Sequence, residues 1–384
     1  MRSLRILLVG DYPPDPRLGS TKVFVKLQEE YRALGHTCEV LLADSLDGAP
    51  RNPYLRQAVG PVAAWRAVRR RFREQGPYDV VDVASAEGLW IGRLRRRLSP
   101  ATVVISRSNG LEHLNYRRML DDHREGLLRK PWTRRLFHPL VRLTQVAAAA
   151  RAADRLLLLN ETDRAFAEAR GWKRPSDIVV VPHGVSDRFL SDAPPSGHSR
   201  GRGILFCGSW TEVKGVHYLA DAFSRLVKDG TDARLTILGG GVPADTIEAA
   251  FAHAARSRLT IVPRAPEEDV MAAYRSHDVL AWPSTYEGFG MVVIEAMSQR
   301  LPVVATPVGC ARSLIVSGQT GLLVPARDGK ALAAAILQML QDGRLRRSAA
   351  DAAFDRVRGM SWASTAKQTL DVYAAALASH HRVH

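Results

Sequence analysis

Glu287 and Glu295 enclose seven residues in the segment EGFGMVVIE, and this spacing carries chemistry. An apolar run, Asp278–Trp282, precedes the segment and is predicted as a buried strand, with a helix following it. Between the two carboxylates Gly288 and Gly290 allow the backbone to turn tightly, since glycine tolerates conformations other residues resist. The turn should expose amides at a helix N-terminus, where backbone N–H groups and the helix dipole favour an anion. Two carboxylates would repel that anion, so they serve something else. Ionised carboxylates only accept hydrogen bonds, which suits a ligand rich in hydroxyls. The pattern points to a sugar joined to a phosphate.

The wider pattern SxxEGFGxxxxEAM is similar to the signature of the retaining GT-B glycosyltransferases of the family 4 type, the group 1 glycosyltransferases. The resemblance extends through FCGSWTEVKG at 206–215, LGGG at 238–241, PVVATPVG at 302–309 and GQTGLLVP at 318–325. In the first half it includes GDYPPDPRLGS at 10–20, LGH at 34–36 and VPHGVSDRF at 181–189. It implies two Rossmann-like domains facing a cleft, a nucleotide-diphosphate sugar (UDP- or GDP-linked) as donor, and a saccharide or lipid-linked acceptor. It further implies that Glu295 holds the nucleotide ribose and that Glu287 accepts from sugar hydroxyls. The amides of Phe289, Gly290 and Met291 then lie near sugar and phosphate.

Lys214 closes a glycine-bracketed loop and reads as a phosphate ligand, a point charge where a diphosphate leaving group gains negative charge. Glu287 and Lys214 are therefore the candidate catalytic residues. In similar enzymes an arginine follows the first glycine of this loop, Gly208; here Ser209 stands there, and Arg17 or Arg107 is the candidate replacement. Gly239, Gly241 and Ala244 fit a G-x-G-x-x-A pattern. A dinucleotide site also wants an acidic residue about 20 positions on. The next strand instead ends at Val262-Pro263-Arg264, so Gly239 reads as a turn facing the donor nucleotide. By resemblance Gly19 borders the donor phosphates, with Ser20 where a second glycine is common. Asn109 stands where related enzymes place a histidine against the transferred sugar, and His113 reads as an ordinary loop or helix-face histidine. No Asp-x-Asp occurs, so cationic side chains and a helix dipole are expected to do the work of a metal; neither metal nor cofactor is expected.

Apolar runs alternate with helical segments, as parallel sheets with crossover helices require. Strands are predicted at Arg5–Val9, Glu39–Leu42, Val80–Val83, Val103–Ser106, Arg155–Leu158 and Ile178–Val181. A second set covers Gly203–Cys207, Arg234–Leu238, Arg258–Val262, Val279–Trp282 and Leu301–Ala305. The Pro-, Gly- and Ser-rich stretch between these sets reads as a linker. The expected organisation is an acceptor-side domain at 1–190, a linker at 191–202, a donor domain at 203–360, and a final helix within 361–384 that returns to the first domain.

With 46% hydrophobic residues the chain is rich enough for ordinary cores. No apolar run reaches the roughly 20 residues of a membrane helix, and Ile6–Val9 is too short for a signal core, so a cytoplasmic protein is expected. Cys38, Cys207 and Cys310 show no metal spacing and read as buried and structural. The net charge is +15, and residues 61–151 hold 19 basic and 8 acidic residues. That stretch has no nucleic-acid-binding motif, so no nucleic-acid partner is expected. Two basic amphipathic segments lie in it. One sets Val62, Trp65, Val68 and Phe72 among Arg66, Arg69, Arg70, Arg71 and Arg73. The other sets Trp132, Leu136, Phe137, Leu140 and Val141 beside Lys130, Arg134, Arg135 and Arg142. Either they lie on an anionic membrane surface at its inner face, or their apolar stripes face the core and their arginines face water. A different class of function also stands beside the enzyme: a degenerate GT-B protein that binds without transfer, motivated by Asn109 and Ser209. An epimerase or phosphorylase on the same fold is a lesser rival.

Overall fold

A computed structural model describes residues 2–15, 18–46, 48, 50, 52–128, 137–196, 201 and 203–381. Contacts divide the chain into a first unit of residues 1–117, 129–183 and 362–384, and a second of 118–128 and 184–361.

The first unit is built on strands β1 (Arg5–Val9), β2 (Thr37–Leu41), β3 (Val80–Ala84), β4 (Val103–Arg107), β5 (Arg155–Leu158) and β6 (Ile178–Val180). They form a parallel sheet in the order β2-β1-β3-β4-β5-β6. Runs such as Ile6-Leu7-Leu8-Val9 are fully buried, as expected of strands covered by helices on both faces. The helix Pro53–Gln75 starts on Asn52, whose side chain accepts from the amides of Tyr54 and Leu55. It lays Ala63, Ala64, Ala67 and Val68 against Leu7, Val9, Val81 and Val83, with Trp65 and Phe72 packed alongside. Burying a side chain such as Val68 is worth about 2 kcal/mol. The first amphipathic stripe therefore faces the core and is not available to lipid, while Arg66, Arg69, Arg70 and Arg73 are exposed. In the second stretch Lys130, Trp132, Arg134, Arg135 and Leu136 lie outside the described residues, as does Arg17.

Asp82 on β3 is fully buried and would be costly alone. Arg107 on β4 pairs with it, Nε at 3.1 and 3.0 Å from the two carboxylate oxygens and Nη2 at 2.6 Å from one. Tyr373, on the C-terminal helix Trp362–His381, donates to the same carboxylate and meets the Tyr31 hydroxyl at 3.2 Å. This network fastens the last helix to the first unit, where Thr365 also donates to the Pro182 carbonyl at 3.0 Å. It also consumes Arg107. That residue is not the replacement cation expected beside the donor phosphate, because its guanidinium is buried and spent on Asp82.

The second unit repeats the plan with β7 (Gly203–Cys207), β8 (Arg234–Leu238), β9 (Leu259–Val262), β10 (Val279–Trp282), β11 (Val303–Ala305) and β12 (Leu322–Leu323). The order is β12-β11-β10-β7-β8-β9, again parallel. The two-residue strand β12 was not expected from sequence. The expected boundary at 190 and the start of the linker fall inside this unit. Phe189 is buried there, its ring 6.2 Å from that of Tyr274, and its carbonyl accepts from Gln299 at 2.5 Å. At the other end Ser361 bridges to Val185, so the returning helix begins at Trp362.

Each sheet has a point where strand order reverses, between β1 and β3 in the first and between β7 and β10 in the second. Ligands in open parallel sheets bind beyond the carboxyl ends of the strands at such a point.

Candidate active site

In the second unit the reversal lies between the loops that carry Lys214 and Glu287. The loop after β7 runs through a single turn, Glu212–Lys214, to Gly215. Gly215 has φ +68°, and a side chain there would approach the Pro283 carbonyl oxygen to 1.9 Å. Only glycine lets these loops close so tightly. The Thr285 amide then donates to the Val213 carbonyl at 2.8 Å and fastens one loop to the other. As a result Lys214 Nζ donates to Glu287 Oε1 in a short contact, and Ser284 Oγ donates to the same oxygen at 2.9 Å. Sequence reasoning set Lys214 and Glu287 on different parts of one ligand; the fold brings the two into an ion pair.

Gly288 and Phe289 fill the turn between β10 and the helix Met291–Ser298, whose N-cap is Gly290 at φ +91°. A side chain at Gly290 would lie 2.7 Å from the Trp282 ring. This cap has no side-chain acceptor, and no acid stands in the helix's first turn, Met291 included. The positive end of the helix is thus not offset by a carboxylate of its own first turn, the condition that suits an anion. Phe289 is buried and its carbonyl accepts from the Cys310 amide at 2.6 Å, which presses the Pro302–Gly309 segment onto the turn.

Gly208 follows β7 and Gly239 follows β8, side by side: a side chain on Gly239 would come within 3.8 Å of the Gly208 amide nitrogen. Their amides continue the sheet, Gly208 to the Leu238 carbonyl and Gly239 to the Val262 carbonyl, each at 2.9 Å. Their amides are thus taken, and what the two glycines leave open is backbone without side chains. A side chain on Gly208 would sit 3.9 Å from Lys214 Cε, so this open surface adjoins the lysine. Glu295 lies just past the middle of the helix Met291–Ser298, nearly buried, and accepts from the Tyr274 hydroxyl at 3.1 Å. Burial pushes the Cys207 thiol up to about 12; the Tyr274 hydroxyl and Lys214 oppose the rise and Glu295 adds to it. Glu295 and Lys214 thus both act on the end of β7. Of the expected site residues, Gly208, Lys214, Gly239, Glu287, Gly288, Phe289, Gly290, Met291 and Glu295 gather at the carboxyl edge of one sheet. Tyr274 and Ser284, which hold the two carboxylates, were missed.

Gly19 and Asn109 stand on the first unit. Gly19 opens the helix Gly19–Ala33 and has open space around it. Asn109 lines a polar cavity of about 430 Å³ at the reversal between β1 and β3. Asp11 and Tyr12 follow β1, Ser85 and Glu87 follow β3, and Glu112 follows β4. Asn109 Nδ2 donates to the Tyr12 hydroxyl at 3.2 Å, whereas its buried Oδ1 has no partner. Arg142 meets Glu87 through Nη1 at 2.7 Å and Glu112 through Nε at 3.0 Å. Burial raises the Glu87 carboxyl, against the pull of Arg142. For Glu112 the Arg142 guanidinium and the Ser85 hydroxyl overcome burial and lower it. Ser85 itself has φ +51°, a strained value for a residue with a side chain, and donates to Glu112 at 2.6 Å. Arg142, counted in sequence among the arginines of a basic face, is in fact a half-buried member of this cluster. The rule that picked out Lys214 and Glu287, polar residues directly after a strand, would have found Tyr12, Glu87 and Glu112 too. His113 lies apart, its ring 4.8 Å from that of Trp172, and burial lowers it to about 4.

Among the described residues no group of three or more His, Cys, Asp and Glu is arranged to hold a metal ion. None of their helices is long and apolar enough to cross a membrane. The three cysteines are free and buried.

Residues 201–342 match the family described as glycosyl transferases group 1. Phosphatidyl-myo-inositol mannosyltransferase of Mycobacterium leprae is 34% identical over 222 residues, covering 56% of this chain and 59% of that protein. The chain spans less than two thirds of the length of the curated relatives it matches. Sucrose-phosphate synthase from Thermosynechococcus elongatus has the same fold, with a TM-score of 0.79 at 21% identity over 97% of this chain and 99% of that one. Anabaena HepE, solved in complex with UDP and glucose, gives a TM-score of 0.69 at 15% identity over 96% of this chain and 98% of that one.

Proposed function

Since the chain has the GT-B fold and carries the group 1 glycosyltransferase domain in its second unit, we propose that it is a retaining glycosyltransferase using a UDP- or GDP-linked sugar. The observation that carries this reading is the meeting of Lys214, Glu287 and the helix N-terminus at Gly290 where the second sheet reverses. A relative named as a mannosyltransferase and a fold neighbour solved with UDP and glucose support it.

In this reading the diphosphate rests against Lys214 and the amides at the start of the helix Met291–Ser298. Lysine has three N–H donors, and Glu287 occupies one. Glu295 accepts from the ribose hydroxyls beside the open backbone of Gly208 and Gly239. Glu287 accepts from sugar hydroxyls and holds Lys214 in place. The bond from the anomeric carbon to the diphosphate breaks, the electron pair leaves with the diphosphate, and an acceptor hydroxyl attacks on the same face. Its proton passes to the departing phosphate oxygen. Lys214 and the helix end stabilise the departing charge, so no metal is required. The acceptor is a saccharide or lipid-linked molecule, held on the first unit. The exposed Arg69, Arg70 and Arg73 give that unit a means of resting on an anionic membrane surface, at the cytoplasmic face.

A panel of UDP- and GDP-sugars, assayed for nucleotide release with added acceptors in EDTA, tests the proposal. Release from at least one donor is expected. Release from none, with nucleotide still bound, would favour a protein that binds without transfer.

A further inference from the structure

The cavity of the first unit is lined by none of Lys214, Glu287 and Glu295, and its charges restrict what it holds. Among the described residues lining it are three carboxylates and two guanidiniums, a negative balance. Neither guanidinium is idle. Arg56 forks onto Asp11, with Nε at 2.9 Å and Nη2 in a shorter contact. Arg142 spends its Nε proton on Glu112, one Nη1 proton on Glu87, and its Nη2 group on both. A phosphate monoester is recognised by a guanidinium with donors to spare. Here the Nε–Nη2 edge of each guanidinium, the edge that would grip a phosphate side-on, already holds a carboxylate, a third carboxylate stands in excess, and taking a dianion out of water against that wall is costly.

A hydroxyl meets the reverse situation. Carboxylate oxygens accept from it, and Asn109 offers a further partner. The Tyr12 hydroxyl can accept from Nδ2 or donate to Oδ1, so either orientation of the amide leaves one polar atom without a partner. A buried polar atom without a partner is costly, and a ligand hydroxyl relieves it.

We infer that this cavity selects an uncharged polyhydroxylated acceptor ring over the phosphate monoester of the same ring, with Glu87, Glu112 and Asn109 determining the choice. This rests on the reading of the chain as a sugar transferase. Any phosphate in a lipid-linked acceptor then lies outside the cavity.

The test uses the full chain, with myo-inositol and methyl glucoside as neutral probes and inositol 1-phosphate and glucose 6-phosphate as their charged counterparts. Binding is read by saturation-transfer NMR and transfer in parallel, with circular dichroism confirming the fold of each variant. The neutral probes should bind at least about tenfold more tightly than the esters, the ratio that about 1.4 kcal/mol sets. Glu112→Gln frees part of the Arg142 fork and should move the ratio toward the esters by about tenfold. Asn109→Asp should move it the other way. Tighter binding of the esters, binding of neither class, or a ratio unchanged in folded Glu112→Gln overturns the inference. Transfer to an ester leaves the transferase reading intact, whereas absence of transfer to every probe counts against that reading while the binding ratio still decides the cavity.

Discussion

Lys214 and Glu287 stand seventy-three positions apart and meet in an ion pair at the carboxyl edge of the second sheet. Neither is fully buried, the side chains being 24% and 13% exposed, so the pair adds little to stability and more to position. Lys214→Ala should lower kcat by about two to three orders of magnitude, comparable to losing one preorganised donor at a developing negative charge. Glu287→Gln should lower kcat as well while sparing the free nucleotide. Because the two residues act together, the double variant should be far less impaired than the product of the single effects. Steady-state kinetics of all four proteins decides this, and strictly multiplicative losses would show the residues acting independently.

Glu295 is held by Tyr274 on a helix whose buried face fixes it in place. Glu295→Ala should weaken binding of the nucleoside diphosphate by roughly 1–3 kcal/mol, since ribose hydroxyls lose a charged partner. Tyr274→Phe should have a smaller effect in the same direction. Calorimetry with UDP and GDP reads both, and an unchanged affinity in Glu295→Ala removes it from the ribose.

Stability should depend on pH through buried groups of the first unit. Burial raises the Asp163 carboxyl from 3.8 to about 7, against the Leu111 amide and Asn160. Its folded value exceeds its unfolded one, so the stability it contributes is complete below 3.8 and is lost as pH rises toward 7. Buried His183 behaves oppositely: burial, aided by Arg107, lowers it to about 3, so its contribution is complete above 6.5 and is lost on acidification. Asp163→Asn should therefore be more stable relative to the parent at pH 8 than at pH 5. The difference should be roughly 1 kcal/mol or more, since one pKa unit is worth about 1.4 kcal/mol. Thermal melts at the two pH values check the sign, and an equal shift at both would show that the carboxyl does not titrate in this window.

Docking on a membrane should be electrostatic, because the apolar stripe of the helix Pro53–Gln75 is committed to the core. The chain should pellet with phosphatidylglycerol vesicles at low salt and be released at high salt, exposed charges being screened over roughly 8–10 Å at physiological ionic strength. Reversing Arg69, Arg70 and Arg73 should abolish pelleting and leave turnover of a water-soluble acceptor unchanged. Failure to pellet at low salt would leave these arginines as a solvated face.

Most strands could be read from sequence because parallel strands buried on both faces are uninterrupted apolar runs. Arg5–Val9, Gly203–Cys207 and Val279–Trp282 agree residue for residue with expectation. β12 escaped because Leu322–Leu323 is too short to show a pattern. The charged residues were harder. Arg107 and Arg142 look alike in sequence, yet one neutralises a carboxylate inside a sheet and the other joins two carboxylates in a cavity. Their partners, Asp82 inside β3 and Glu87 and Glu112 in the segments after β3 and β4, come from neighbouring strands, and that adjacency is a property of strand order which local spacing does not encode. The segment proposed to hold the donor could be singled out for the opposite reason: Glu287, Gly290 and Glu295 are close in sequence.

The most direct measurement is NMR of a reaction in EDTA containing one accepted nucleotide sugar with an α-anomeric linkage and one neutral acceptor. The anomeric proton of the donor should disappear as that of a new α-linked product appears, with stoichiometric nucleoside diphosphate and no added metal. A β-linked product, or a donor signal that persists until Mn²⁺ is supplied, would contradict same-face transfer driven by Lys214 and the helix end at Gly290.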